Sequence, residues 1–216
     1  MSLELYSYWR SSASYRVRIA LNLKALPYTY HGVDLMHDGG DQWKASYKEV
    51  NPQSRVPTLV HDGERITQSL AIIEYLDETF HQPALLPRDP VDRAHVRMLS
   101  QIIACDVQPL QNTSTTRYLK DTLHHDDATI GQWMQEWIVR GLDAYNAHLA
   151  RDPVHGKFSH GDTPSMADCC LVPQLFAAQR FGVEPGRYPR LALIAENCSR
   201  LSAFAAAHPT RQPDAK

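Results

Sequence analysis

The sequence predicts a two-part chain, an α/β first domain followed by an all-helical second domain, and three observations carry that prediction. Up to about residue 82, short β-rich runs take turns with helical periodicity. Pro83, Pro87 and Pro90 then crowd into eight residues, a stretch that cannot continue a helix. From residue 91 onward apolar residues recur at helical spacing almost without interruption. The expected boundaries are 1–82 for the first domain, 83–90 for a linker and 91–216 for the second domain.

Each element has its own signal. Leu3-Glu-Leu-Tyr-Ser-Tyr8 sets Leu3, Leu5 and Ser7 against Glu4, Tyr6 and Tyr8, the period of a strand. Val17, Ala20 and Leu21 then recur at helical spacing until Pro27, which predicts a helix over about 12–24 with Ser11, Ser12 and Ser14 as N-cap candidates. A strand at 28–34 and a short helix near 42–48 follow. Strands at 57–60 and 64–66 flank the Asp62-Gly63 turn, and a helix at about 69–80 closes the first half. A β-α-β unit, a hairpin and a final helix fit a thioredoxin-like sandwich.

In the second half Val96, Leu99, Ile102 and Ile103 form an apolar stripe. Trp133, Trp137, Leu142, Tyr145 and Leu149 mark a helix over about 127–150, and Pro109 is expected to kink the helix that carries it. Ser165-Met-Ala-Asp168 reads as a capping box. The helix it opens, about 166–180, is apolar nearly all round and is expected to be the buried centre of the helical domain. A last helix is expected at about 189–206.

Composition narrows the function classes. Of 216 residues 43% are hydrophobic, enough for a packed core. The net charge of −2 comes with no basic stripe interleaved with aromatics, so nucleic acid is not an expected partner. No apolar run approaches the roughly 18 residues of a membrane span. Met-Ser-Leu-Glu-Leu goes straight into a strand with no charged-then-apolar leader, so a soluble, cytoplasmic protein without a membrane partner is expected. Cys105, Cys169, Cys170 and Cys198 fall on predicted helices, form no Cys-x-x-Cys pair, and read as reduced small hydrophobes. The histidines show no helical ligand spacing, and no metal is expected.

The stretch that points most directly to chemistry is Arg10-Ser-Ser-Ala-Ser-Tyr-Arg-Val-Arg18. A serine-rich turn between strand and helix offers hydroxyls, free backbone N–H groups and the positive end of a helix dipole, which together can hold an anion such as a thiolate. An ordinary capped helix would present the same residues. Gln68-Ser69 opens a second helix in the same way, with a plain N-cap as the alternative. Gln108, Asn112, Thr113 and Ser114 make a polar island that either faces a cleft or is a solvated bend. Arg180 either pairs with its helix's dipole or offers a cation to a ligand, and Arg10 and Arg117 are further basic candidates.

Asn51-Pro-Gln-Ser-Arg-Val-Pro57-Thr-Leu-Val60, Asp62-Gly63 and Ile66-Thr-Gln-Ser69 resemble the glutathione-binding half of a glutathione transferase. Ser11-Ser-Ala-Ser-Tyr-Arg-Val-Arg-Ile-Ala-Leu21 is similar to the signature of the zeta class. Asp38-Gly-Gly-Asp-Gln42, Gln108-Pro-Leu-Gln-Asn112, Met166-Ala-Asp-Cys-Cys-Leu-Val-Pro173 and His208-Pro-Thr-Arg-Gln-Pro-Asp214 extend the resemblance along the chain. It implies the glutathione transferase fold, a cis bond before Pro57, a homodimer, and glutathione as cofactor. The activity implied is glutathione-dependent cis–trans isomerisation of the small dicarboxylate maleylacetoacetate. Maleylpyruvate isomerisation and general conjugation or dehalogenation are the enzymatic rivals, and a non-catalytic binding module is the most distant one.

The resemblance also implies roles. Ser11 and Ser12 would stabilise the glutathione sulfur, within a binding turn completed by Ala13, Ser14, Tyr15 and Arg16. Gln68 and Ser69 would take the γ-glutamyl end, Val56 the cysteinyl backbone and Gln42 the glycyl end. Gln108, Asn112, Thr113 and Ser114 would complete the binding set, and Arg180 and Arg10 would grip the substrate carboxylate. Ser11, Ser12 and Arg180 are the expected catalytic residues. One departure stands out: the class pattern reads Ser-Ser-Cys-x-Trp, and Ala13 and Tyr15 occupy the cysteine and tryptophan positions here.

Overall fold

The structure, a computed structural model, describes residues 2–152, 154 and 156–216. The chain divides into two compact units, one formed by the residues up to Leu86 together with Ser199–Lys216, the other by Pro87–Cys198. The segment 199–216, expected with the helical domain, thus groups with the α/β part. Its physical tie is visible in hydrogen bonds: Arg18 Nε donates to Ala207 O at 3.1 Å and Asn22 Nδ2 to Ala203 O at 3.0 Å.

In the first unit the order is β1 (Leu3–Ser7), α1 (Ser12–Leu23), β2 (Thr29–Gly32), α2 (Ala45–Val50), β3 (Thr58–His61), β4 (Glu64–Thr67) and α3 (Ser69–Thr79), with a 3₁₀ turn at Asp41–Trp43 before α2. The sheet runs β2-β1-β3-β4. β1 is parallel to β2, as a β-α-β unit requires, and antiparallel to β3. The β3–β4 hairpin closes through Asp62 and Gly63, both at positive φ. Leu3, Leu5 and Ser7 are buried, and the intervening Glu4 and Tyr6 are half-buried on the other face, where Tyr6 meets Tyr47 of α2 at 6.0 Å between ring centroids. Leu5, Val17, Ala20, Leu21, Leu59, Ile72, Ile73 and Leu76 are fully excluded from solvent and join α1 and α3 to the sheet.

Lys24 closes this unit. Its side chain is fully buried and its Nζ donates to Asp77 Oδ1 at 2.8 Å, Phe80 O at 2.7 Å and Pro83 O at 2.8 Å. Asp77 in turn accepts from the N–H groups of Leu85 and Leu86. The expected proline connector is therefore tied down over its first residues by one buried ion pair. Val56-Pro57 is cis, as the resemblance implied, and so is Gln82-Pro83.

The second unit begins with α4 (Pro90–Gln101), capped by the Asp89 carboxylate. Here the structure departs from an expected kinked helix. A π-helical stretch (Ile102–Val107), a 3₁₀ turn (Gln108–Gln111), α5 (Thr113–Arg117) and a second π stretch (Tyr118–Thr122) replace it. Pro109 has no N–H to donate, and it sits where the wide turns hand over to the tight one. α6 (Asp127–Arg151) crosses this stretch closely: a Cβ on Gly141 would stand 2.0 Å from Val107 Cγ2, so only glycine fits.

α7 (Met166–Gln179) is buried from Met166 through Leu171, and Ser165 and Asp168 form the expected capping box. Asp168, fully buried, accepts from the N–H groups of Ser159 and Ser165, while burial pushes its carboxyl above the ordinary range. The last expected helix is two: α8 (Pro189–Ser199) and α9 (Ser202–Ala207), because Leu201 leaves the helical region at ψ 128°. Cys105 is exposed, the other three cysteines are buried, and all four are free thiols.

Candidate functional site

The strand register gathers one end of the sheet. Tyr6 lies opposite Thr58 and Thr58 opposite Thr67, while Ser7 pairs with Gly32. The segments that continue these strands, Tyr8–Ser11, Val33–Gln42, Val56-Pro57 and Gln68-Ser69, therefore leave from the same end. In open α/β sheets that end is where ligands bind. Tyr8, Val33, Tyr47 and Val56 form a buried cluster beneath it, with Trp9 and Leu35 packed against its side.

α1 and α3 both begin at this end. Ser11 is the N-cap of α1: its Oγ accepts from Ser14 N at 3.2 Å, and its C=O accepts from Tyr15 N at 2.9 Å. The N–H groups of Ser12 and Ala13 precede the first intrahelical bond and point out of the helix end. Neither α1 nor α3 carries an acidic residue in its first turn. Two positive helix ends are thus left without a counter-charge from the chain's own first turns, an arrangement that favours an anion. Ser11 and Ser12 are half-buried, whereas Ser14 is fully buried with no hydrogen-bond partner for its Oγ among the described residues.

Arg16 and Arg18 lie on the inner side of α1. Arg16, 1% exposed, donates from Nη1 to Ser69 Oγ at 3.1 Å and so ties α1 to the first residue of α3. The residue before it, Gln68, adopts φ 70° and ψ 115°, a left-handed-side conformation that a non-glycine residue enters at a cost and that functional sites retain. Gln68 Nε2 donates to Gln53 Oε1 at 2.9 Å. Arg18 is fully buried, donating from Nη1 to Ser7 Oγ and Tyr8 O and from Nη2 to Trp9 O, and burial holds its guanidinium below the ordinary arginine range.

Two expected binding residues have more particular surroundings. Val56 lies ahead of β3, and Tyr47 Oη and Asn51 Nδ2 both donate to Arg55 O at 2.7 Å, fixing the residue before it. Gln42 is buried, and its Nε2 donates to Leu35 O at 3.3 Å while its Oε1 has no partner among the described residues. Gly40, at φ 94°, passes so close that a Cβ there would overlap the Gln42 amide. Arg10 stacks its guanidinium on Trp9, 5.4 Å from the ring centroid. Ala13 and Tyr15 need no separate device: Tyr15 is buried, edge-on to His208 at 6.1 Å.

The other candidates belong to the second unit. Asn112 caps α5 by accepting from Ser114 N at 3.0 Å, and Ser114 Oγ and Thr113 Oγ1 donate to the same oxygen. Gln108 is half-buried in the 3₁₀ turn, and neighbouring Gln111 bonds the buried Gln174 at 2.6 Å. The polar island is therefore an ordered capping network. Arg180 ends α7, exposed, with its guanidinium over Phe181 at 5.5 Å. Arg117 is exposed at the end of α5.

The sequence reading passed over Arg18, Lys24 and Asp214. No pattern marks a buried cation, and Asp214 stood only as part of a matching tail. Among the described residues, no three His, Cys, Asp or Glu side chains group to hold a metal, and no helix is long and apolar enough to cross a membrane.

The family profile described as "Glutathione S-transferase, N-terminal domain" matches residues 5–84, and "Glutathione S-transferase, C-terminal domain" matches residues 127–197. A maleylacetoacetate isomerase of Pseudomonas aeruginosa is 44% identical over 213 residues, covering 98% of this chain and 98% of its own. The holo structure of a maleyl pyruvate isomerase, a bacterial glutathione transferase of the zeta class, has a TM-score of 0.95 at 45% identity, covering 99% of this chain and 100% of its own. A maleylacetoacetate isomerase from Anaeromyxobacter dehalogenans, solved with dicarboxyethyl glutathione and citrate in its active site, has a TM-score of 0.87 at 43% identity, covering 100% and 98%.

Proposed function

The chain belongs to the glutathione transferase family, zeta class, and from that premise we propose that it is a glutathione-dependent cis–trans isomerase converting maleylacetoacetate to fumarylacetoacetate. The observation that carries the reading is the pair of helix N-termini, free of acidic residues, that flank Val56-cis-Pro57 at one end of the sheet. Among its anionic groups glutathione carries a thiolate and a γ-glutamyl carboxylate, and two such helix ends fit these two. When bound, glutathione supplies the thiolate that adds to the cis alkene, allows rotation about what is then a single bond, and leaves again.

The chain's own residues have three tasks in this reading. The first is to keep the sulfur ionised. A free thiol titrates near 8.5, and one pK unit is worth about 1.4 kcal/mol. A helix end contributes about 0.3–1 kcal/mol, or about 2 in a sheltered place, so it accounts for about one unit. The rest falls to Ser11, whose Oγ accepts from Ser14 N while its hydroxyl proton stays available to donate to the sulfur. Ser12 adds its N–H and a second hydroxyl.

The second task is to seat the peptide. Ser69, bonded by Arg16, and Gln68 take the γ-glutamyl end at the start of α3. Val56 offers its backbone to the cysteinyl residue, and Gln42 marks the loop at the glycyl end. The third task is to hold the diacid. Arg180 and Arg10 are the cations assigned to its carboxylates, while Gln108, Asn112, Thr113 and Ser114 are assigned to the glutathione-binding set. We further read the protein as a cytoplasmic homodimer, a state that light scattering at micromolar concentration tests by returning twice the chain mass.

The deciding assay offers maleylacetoacetate and maleylpyruvate separately, with glutathione, and follows loss of the cis isomer. Turnover of either diacid is expected with glutathione and not with S-methylglutathione, whose sulfur cannot attack. Full activity with the S-methyl analogue would falsify the mechanism.

A further inference from the structure

We propose that Asp214 is a positioning residue for glutathione: its carboxylate, through the Trp9 N–H, fixes the turn that presents Ser11 and the first N–H groups of α1. This rests on the glutathione-dependent reading above. Trp9 N–H donates to Asp214 Oδ2 at 3.0 Å, and Trp9 O accepts from Arg18 Nη2 at 2.9 Å. Both polar groups of the Trp9 backbone are thus held by side chains, one from α1 and one from the far end of the chain, and Ser11 N–H closes the turn onto Tyr8 O at 3.0 Å. The serine that caps α1 cannot shift without breaking one of these bonds.

Asp214 is itself aimed. Tyr30 Oη, on the strand beside β1, donates to its other oxygen at 2.6 Å. A Cβ on Gly32 would stand 3.4 Å from Asp214 Cβ, so the tail passes close to the sheet here. The approach to Asp214 is anchored by Arg18 on Ala207 O and by Gln212 Nε2 on Ala206 O and His208 O, both at 2.9 Å. Beyond it, Lys216 Nζ donates to Asp34 Oδ2 at 2.9 Å. Asp34 and Asp41 exchange backbone and side-chain bonds that close the loop carrying Gln42. One short tail therefore reaches two of the segments assigned to glutathione.

The sign of the charge separates positioning from a field effect. A carboxylate beside an anion-holding turn repels a thiolate and raises its pKa. Its presence there is explained by the two hydrogen bonds it accepts. Asparagine would keep both: its oxygen accepts from Trp9 N–H, and its amide donates to Tyr30 once that hydroxyl reverses.

The experiment measures glutathione binding by calorimetry, and thiol ionisation in the complex by thiolate absorbance, on the full chain. Asp214→Ala is expected to weaken glutathione about tenfold and to raise the ionisation midpoint, with the KM for the dicarboxylate moving less than about twofold. Asp214→Asn is expected to stay near wild type in both. Wild-type affinity in Asp214→Ala, or equal losses in the two variants, overturns the proposal. If Asp214→Ala does not fold, Tyr30→Phe replaces it: it removes one donor that aims the carboxylate, and unchanged glutathione affinity there overturns the proposal equally. A wild-type protein that fails to bind glutathione sinks the functional reading; a binding wild type with an indifferent Asp214→Ala sinks this inference alone.

Discussion

Ser11→Ala and Ser12→Ala test the thiolate assignment most sharply, because the structure gives the two serines different structural duties. Ser11 caps α1 through a 3.2 Å bond to Ser14 N, at the long end of the hydrogen-bond range. Losing a cap costs about 0.5–2 kcal/mol, and this long bond argues for the lower half, about 0.5–1. In a chain of this length about 1 kcal/mol moves Tm by about 2–4 °C. Ser12 has no such bond, and Ser12→Ala should leave Tm in place. For the reaction, a hydroxyl donating to an anion contributes about 1.5–3 kcal/mol, or about ten- to a hundredfold in rate. Ser11→Ala is therefore expected to lose both Tm and rate, with the thiol midpoint raised.

Initial rates at saturating glutathione and diacid, beside thermal melts, separate the two effects. Ala13→Cys belongs in the same series and should keep the wild-type rate, since the attacking sulfur is assigned to glutathione. Wild-type rates in both serine variants would refute the reasoning and leave Ser11 as a helix cap alone.

Three further outcomes follow from the geometry. Arg180→Ala should raise the KM for the dicarboxylate about ten- to a hundredfold by removing a charge-assisted contact, with glutathione affinity unmoved; equal losses for both ligands would make the residue structural. Lys24→Met strands the mostly buried Asp77 and two carbonyls and should cost about 3 kcal/mol, a Tm fall of about 6–12 °C; a fall under about 2 °C would show that the knot contributes little. His208 is held below its ordinary value by burial first, then by Arg211 and Arg18. The unfolded chain therefore takes up this proton more readily, so its contribution to stability is intact above about 6.5 and is lost as the pH falls toward the folded value. Melts from pH 7.5 to 5 should show that loss in wild type and a flatter profile in His208→Gln; identical profiles would rule it out.

Local signals carried the first unit. Alternation in Leu3–Ser7, the serines before Val17 and the Asp62-Gly63 turn each act within a few residues, and apart from α2, which starts three positions late, the elements fall within one or two positions of expectation. Ser165 and Asp168 were equally legible, because a capping box is a four-residue device. What stayed hidden depends on distant partners. Nothing local marks Arg16 and Arg18 as buried, and only the fold supplies Ser69, Tyr8 O and Trp9 O to receive them. The break at Leu201 has no glycine or proline to announce it.

The candidate site divides in the same way. The helix starts at Ser11 and Gln68 could be read off the chain, whereas their arrival at one end of the sheet follows from register. The positive φ of Gln68 had no signal at all, since glutamine is not a residue that favours it.

The π-helical stretch at Ile102–Val107 makes the placing of Gln108 and Asn112 depend on chain length more than on side-chain identity. A π turn accommodates one residue more than an α turn, so the segment is in effect a single-residue insertion stored inside a helix. Each residue of an α-helix advances by about 100°. Closing the segment to α geometry with its residue count unchanged would swing everything beyond it by about that angle, whereas deleting one residue at Cys105, whose side chain is exposed, would let it close with the downstream phase kept. With the count unchanged, Val107 would leave its seat against Gly141, and the capping network around Asn112 would turn to another face. Alanine scanning would leave that dependence unseen, because it changes side chains and never the count. In this helix the residue count, set against the wide turn that absorbs it, holds the residues assigned to binding in phase more than any one neighbouring side chain does.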